Sequence, residues 1–134
     1  MNMPRTIVTP IQKRFSDADM FHHINNAVQQ TYFDLGKIEF LHEVLSLDEA
    51  FDRVSLITVA VANNFYRQIR QENDIEVRTT VRKVGNKSVT LFQQIVDCAD
   101  GEPMSDSLTT MVAFDTKDQT SVPVSAEWRD KLLG

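Results

Sequence analysis

Cysteine occurs once in the 134 residues, at Cys98, so no internal disulfide can form and zinc sites built on paired cysteines are excluded. A single thiol suits a reducing compartment, and the expected location is cytoplasmic. The opening Met1-Asn2-Met3-Pro4-Arg5-Thr6 lacks the basic and apolar regions of a secretory leader. No apolar run approaches the ~18 to 20 residues that span a bilayer, so no membrane partner is expected. Positive charge is also scarce: 14 Lys and Arg against 19 Asp and Glu give a net charge of −5. That balance disfavours nucleic acid as a partner while leaving room for a local basic pocket. Glycine and proline number four each, and no low-complexity tract or repeat interrupts the chain. With no linker to cut at, residues 1–134 read as one domain.

What is present alternates between two periodicities. Residues Ile7 to Lys13 carry β-branched side chains around Pro10, which argues for an edge strand or a bend, and the segment reads as a short first strand. From Ile24 the apolar positions Ile24, Val28, Tyr32, Leu35, Ile38, Leu41 and Leu45 return every three or four residues and predict one long helix. Gly36 within it costs about 1 kcal/mol relative to alanine, so close packing against another backbone is expected there. After Asp52 the period drops to two, predicting strands over Val54 to Tyr66, Asp74 to Lys83, Ser88 to Cys98 and Ser105 to Asp115, the last three joined by hairpins. Pro123 to Leu133 reads as a short amphipathic helix carrying Trp128. The class is α+β: one long central helix wrapped by an antiparallel sheet of about five strands.

Between the first strand and the helix, Arg14-Phe15-Ser16-Asp17-Ala18-Asp19-Met20-Phe21-His22-His23-Ile24-Asn25-Asn26 crowds two carboxylates, two imidazoles and two amides into one loop. Capping alone is the competing account: Asn25 or Asn26 satisfies first-turn amides, and Asp17 and Asp19 favour the positive end of the helix dipole. Helical zinc motifs place ligands on one face at spacings of three or four residues, which adjacent histidines do not, so no metal is expected. Cys98 has no nearby histidine and is expected to be a buried, unreactive strand residue.

These residues resemble the hotdog-fold thioesterases of the 4-hydroxybenzoyl-CoA thioesterase type, in which Arg-x-x-Asp-x-Asp is followed by a loop commonly written Gly-His-Val-Asn-Asn and a long helix. Arg14, Asp17, Asp19, His23, Ile24, Asn25, Asn26 and Tyr32-Phe33 match in order, and Asn64 to Ile69, Val84 to Ser88 and Pro123 to Leu132 extend the likeness along nearly the whole chain. His22 departs from it, standing where relatives carry glycine, so a different loop path or a narrower pocket entrance is expected.

The resemblance implies an acyl-CoA thioesterase with no cofactor. Asp19 corresponds to the catalytic carboxylate, acting as nucleophile or as base for a water. Asn26 and Asn25 lie where helix N-terminal amides polarise the thioester carbonyl, and His23 is a positioning or proton-transferring residue. Arg14 is expected to pair with Asp17 or Asp19 and lower that carboxyl's pKa. Coenzyme A phosphates call for cations, for which Arg67, Arg70, Arg82, Lys83 and Lys87 are candidates, while Phe33, Leu35, Phe65 and Tyr66 are candidates to line an acyl pocket. Exposed sheet edges imply a homodimer or homotetramer. The alternatives are an acyl carrier protein thioesterase, expected to bear a basic outer patch, and a non-catalytic acyl-CoA binder.

Overall fold

The computed structural model describes residues 5–47 and 53–134, so the leader reading of Met1 to Pro4 lies outside the described residues. Strand β1 (Ile7–Ile11) leads through a short 3₁₀ turn (Phe15–Asp17) to helix α1 (Asn26–Leu45). Strands β2 (Val54–Phe65), β3 (Ile75–Val84), β4 (Ser88–Asp97) and β5 (Pro103–Asp115) follow, then the two-residue β6 (Thr120–Ser121) and helix α2 (Ala126–Leu133). The main strands pair antiparallel in the order β1-β3-β4-β5-β2, with β6 appended to β5. β1 and β2 are therefore the two edges, and Pro10 sits on one of them, where a missing amide is tolerated. A long helix lying on a curved antiparallel sheet is the hotdog arrangement that the sequence leads one to expect.

The helix differs from expectation in which face it buries. Ile24 precedes the first turn, and Leu35 and Ile38 are exposed, while Gln29, Tyr32, Phe33, Gly36, Phe40, Leu41, Val44 and Leu45 face the sheet. Two apolar stripes share this helix, and the one through Leu35 and Ile38 is left uncovered by the chain's own sheet. Gly36 makes its close approach to a side chain and not to a backbone: a Cβ there would stand 2.6 Å from Val77 Cγ1 and 3.1 Å from Gln93 Nε2.

Two apolar clusters form the core, one around Phe40, Leu41, Leu91 and Met111, the other around Phe33, Ile69, Val77 and Ile95. On every element that crosses from one to the other, a small or polar residue lies between: Gly36 on α1, Thr79 on β3, Gln93 on β4, and Ser107 and Thr109 on β5. Gln93 satisfies this layer by donating to the Phe33 carbonyl (2.7 Å) and to Thr79 Oγ1 (3.1 Å).

Cys98 is a correction. β4 stops at Asp97, and Cys98 opens the turn into β5, where it is exposed. Partial desolvation by neighbouring residues, and then the negative charges of Glu76, Asp74 and Asp97, push its thiol pKa up, so it is a poor nucleophile.

Candidate active site

The loop from Arg14 to Asn26 is built on Asp17. Its carboxylate accepts from the Arg14 amide (3.0 Å), the Arg14 guanidinium (2.9 Å) and the Tyr32 hydroxyl (2.6 Å), and it is buried. Burial alone would raise its pKa; the hydrogen bonds from Tyr32 and Arg14, with the Arg14 charge, outweigh it and hold the carboxyl below its ordinary value. Burial and the facing Asp17 carboxylate push the Tyr32 phenol up, so it remains a donor. Arg14 thus pairs with Asp17 and leaves Asp19 free.

Asp19 occupies the next turn. Ala18 and Ile24 form an antiparallel bridge, the Asp19 amide donates to the His23 carbonyl (2.8 Å), and the His22 amide donates back to the Asp19 carbonyl (3.0 Å). This closes Asp19-Met20-Phe21-His22 as a tight turn whose last residue, His22, takes φ 64°. The left-handed path that glycine would supply is therefore kept, with histidine bearing its strain. Asp19 Oδ1 accepts from the Phe21 amide (2.9 Å) and the His23 amide (3.2 Å), while Oδ2 has no hydrogen-bond partner among the described residues. One oxygen fixes the turn and the other is open to a ligand.

That carboxylate lies between two clefts. One, about 350 Å³, is lined by Asp19, His23, Asn25, Asn26 and Gln68, among others. The other, of similar size and more apolar, is walled by Phe15, Ala18, Met20, His22 and Gln71. Ile24 anchors the loop between them, its amide donating to the Ile69 carbonyl (2.7 Å), and the next residue of that segment, Arg70, bridges to His23.

Asn25 caps α1: its Oδ1 accepts from the Ala27 amide (2.7 Å), so capping is part of this loop's work. Its own amide turns toward the Asp17 carbonyl (3.4 Å), which leaves the Asn26 amide as the first-turn donor beside Asp19. Asn26 also borders a third cavity, of about 160 Å³, with Gln29, Phe65, Tyr66, Arg67 and Gln68. Of the four candidate pocket residues, Phe65 and Tyr66 reach that cavity, Phe33 is sealed in the core, and Leu35 faces away. Gln29 and Gln68 lie outside the sequence-based candidates. Gln29 follows Asn25 by four residues and Asn26 by three, and that spacing on one helical face was the available signal. Gln68 sits in an irregular segment, where periodicity carries nothing.

The cations divide into two groups. Arg67 reaches the third cavity but is engaged with Asp97 (3.5 Å) and Asp100 (3.3 Å). Arg70 is exposed beside His23, with no ion-pair partner among the described residues. Arg82, Lys83 and Lys87 cluster at the β3–β4 hairpin, where Arg82 stacks over the Phe92 ring at 4.5 Å. β3 runs roughly 30 Å at about 3.3 Å per residue, and the loop's bridge partner Arg70 precedes its opposite end. Within one chain these three do not join Asp19. Among the described residues no group of three His, Cys, Asp or Glu side chains is placed to hold a metal ion, and no helix is long and apolar enough to cross a membrane.

The chain is similar to known proteins along most of its length. The long-chain acyl-CoA thioesterase FadM of Escherichia coli K12 is 26% identical over 133 residues, spanning 92% of this chain and 95% of FadM. The PA5185 protein of Pseudomonas aeruginosa PAO1 superposes with a TM-score of 0.86 at 24% identity, over 94% of this chain and 88% of its own. The SAV2348 protein of Staphylococcus aureus, solved in complex with CoA, superposes with a TM-score of 0.85 at 15% identity, over 98% of this chain and 84% of its own. A family model, the thioesterase-like superfamily, matches residues 14–132, from the arginine that opens the Asp17 turn to the buried leucine of α2. The chain belongs to the thioesterase-like superfamily and is a thioester hydrolase.

Proposed function

We propose that the thioester is an acyl-CoA and that Asp19 is the reacting carboxylate. The observation that carries this reading is the division of labour within Asp19: Oδ1 is held by two backbone amides, and Oδ2 is open in a cleft shared with Asn26 and His23. A carboxylate so fixed is aimed without losing its lone pairs to the fold. Oδ2 acts on the carbonyl carbon directly, or takes a proton from the water that does. In either route the carbon–sulfur bond breaks, the sulfur leaves with its electron pair, and one water is consumed.

Negative charge collects on the carbonyl oxygen as the attack proceeds, and the Asn26 amide, at the positive end of α1, is the donor for it. His23, which lines the same cleft, is the group available to protonate the departing sulfur. Asn25 acts through its cap, which sets the direction of the Asn26 amide. Two comparisons support coenzyme A as the carrier: the acyl-CoA thioesterase FadM over nearly its full length, and a similar fold solved with CoA.

Arg70 is the cation nearest the loop and the first choice for a phosphate contact. Arg67 is partly neutralised by its two aspartates. Arg82, Lys83 and Lys87 serve a site only if a second copy brings them to it, and we propose a homodimer for which the uncovered edge strand β2 is the natural seam. An acyl carrier protein substrate has less support, because the net charge of −5 works against the basic outer patch that such a substrate calls for.

Release of free thiol from acyl-CoAs of graded length, with Asp19→Asn as the control, tests the reading. Turnover by the parent chain and a loss of about 100-fold or more in the variant are expected. Tight binding of acyl-CoA without any hydrolysis would overturn it in favour of a binder.

A further inference from the structure

One buried polar side chain at the site is only half satisfied. Gln29, at the end of the first turn of α1, is 2% exposed, and its Oε1 accepts the hydroxyl of Ser105, which is itself fully buried on β5 (2.7 Å). Among the described residues its Nε2 has no acceptor, and it is not sealed from solvent as the unpaired Thr9 Oγ1, Asn63 Oδ1 and Gln71 Oε1 are. The amide group therefore opens onto the small cavity that Gln29 lines with Asn26, Phe65, Tyr66, Arg67 and Gln68. Burying a glutamine with two unused donors is unfavourable in the free protein and becomes useful when a ligand brings an acceptor.

Position defines the acceptor. Gln29 lies three residues beyond Asn26, about 4.5 Å along the helix at 1.5 Å per residue, and helical side chains lean back toward the N-terminus. A carbonyl oxygen seated on the Asn26 amide thus leaves Nε2 facing an atom a few bonds further along the acyl group. Phe65 offers that group an apolar wall, and Ser105 fixes which end of the amide is presented.

We propose that Gln29 is a specificity-determining residue, selecting acyl groups that carry a hydroxyl or oxo oxygen close to the thioester, at about the third carbon, through a hydrogen bond from Nε2. The proposal rests on the acyl-CoA reading above and narrows its substrate class. Plain saturated chains leave the two donors unpaired and are disfavoured.

The test compares a 3-hydroxyacyl-CoA with the saturated acyl-CoA of equal length. A kcat/KM ratio of at least about 10 in favour of the oxygenated substrate is expected in the parent chain, falling toward one in Gln29→Met, which keeps length and removes the donors. Ser105→Ala frees the amide to rotate and should lower the ratio in part, giving a second measurement if Gln29→Met folds poorly. A ratio near one in the parent chain, or one unchanged in both variants while their melting temperatures fall, overturns the proposal and leaves Gln29 a structural strut. Calorimetric affinities for analogues with a methylene in place of the thioester sulfur separate the two readings. A preference for the oxygenated analogue in a protein that hydrolyses nothing sinks the hydrolytic reading alone, whereas hydrolysis without preference sinks the role of Gln29 alone.

Discussion

The Tyr32 hydroxyl donates to Asp17 Oδ2 across 2.6 Å, joining the second turn of α1 to the loop that presents Asp19. Because donor and acceptor are buried, and Asp17 is ionised, this bond lies in the stronger class of about 1.5–3 kcal/mol. Tyr32→Phe should lower stability by roughly that amount, measured by urea unfolding.

The same relationship fixes a pH dependence. Asp17 has a folded-state pKa below its ordinary value, so its contribution is complete above the unfolded-state pKa, near 4, and is lost as pH falls through the folded one. Parent and Asp17→Asn unfolding curves should therefore differ most at neutral pH and converge below about pH 4. A difference that grows on acidification would show that Asp17 is not the linked group.

Asp19→Asn should separate chemistry from architecture. The substituted side chain keeps a carbonyl oxygen for the Phe21 and His23 amides, so the turn survives, while the open Oδ2 becomes an amide that neither attacks nor takes a proton. A melting temperature within a few degrees of the parent is expected, with thiol release reduced about 100-fold or more. Asp17→Asn should show the converse, a large loss of stability with activity falling only as the loop loosens.

Gly36→Ala sets two local effects against each other. Alanine gains about 1 kcal/mol of helix propensity, but its Cβ would overlap Val77 Cγ1 at 2.6 Å, and overpacking typically costs about 1–3 kcal/mol. Net destabilisation is expected. Shortening the partner in Gly36→Ala with Val77→Ala should recover part of it, so the two substitutions combine with less than the sum of their separate effects. Strict additivity in chemical denaturation would remove the contact from consideration.

Much of this architecture was legible in the sequence because alternation and helical spacing are strong signals. β3 and β4 fall within a residue or so of their expected bounds. The face of α1 was harder to read: Leu35 and Ile38 fit the periodicity as well as Phe33 and Phe40 do, and only the position of the sheet decides between the stripes. Among the candidate site residues, the loop motif delivered Asp19, His23, Asn25 and Asn26 to one cleft, since local chain geometry alone brings them together. The cations were not legible in this way, because proximity among Arg67, Arg70, Arg82, Lys83 and Lys87 depends on where strands start and end. Cys98 misled because an apolar strand pattern gives no sign of the residue at which the turn begins.

β2 supplies the last expectation. Val61 pairs with Thr109 and Phe65 with Ser105, both buried, so Val61 and Phe65 point to the inner face of the sheet, yet they are 43% and 40% exposed. The outer edge of β2 has no strand partner among the described residues. An edge strand of 12 residues with apolar side chains is a template for pairing, and a second copy related by a twofold axis would cover β2 and the Leu35–Ile38 stripe together. Val61→Lys places a charge in that seam without touching the core. Sedimentation velocity should show a dimer for the parent chain and a monomer for the variant, with far-ultraviolet circular dichroism retained and thiol release reduced at least about 10-fold if the site draws on both copies. A parent chain that sediments as a monomer while hydrolysing acyl-CoA would assign the uncovered face to another role and leave Arg82, Lys83 and Lys87 outside the site.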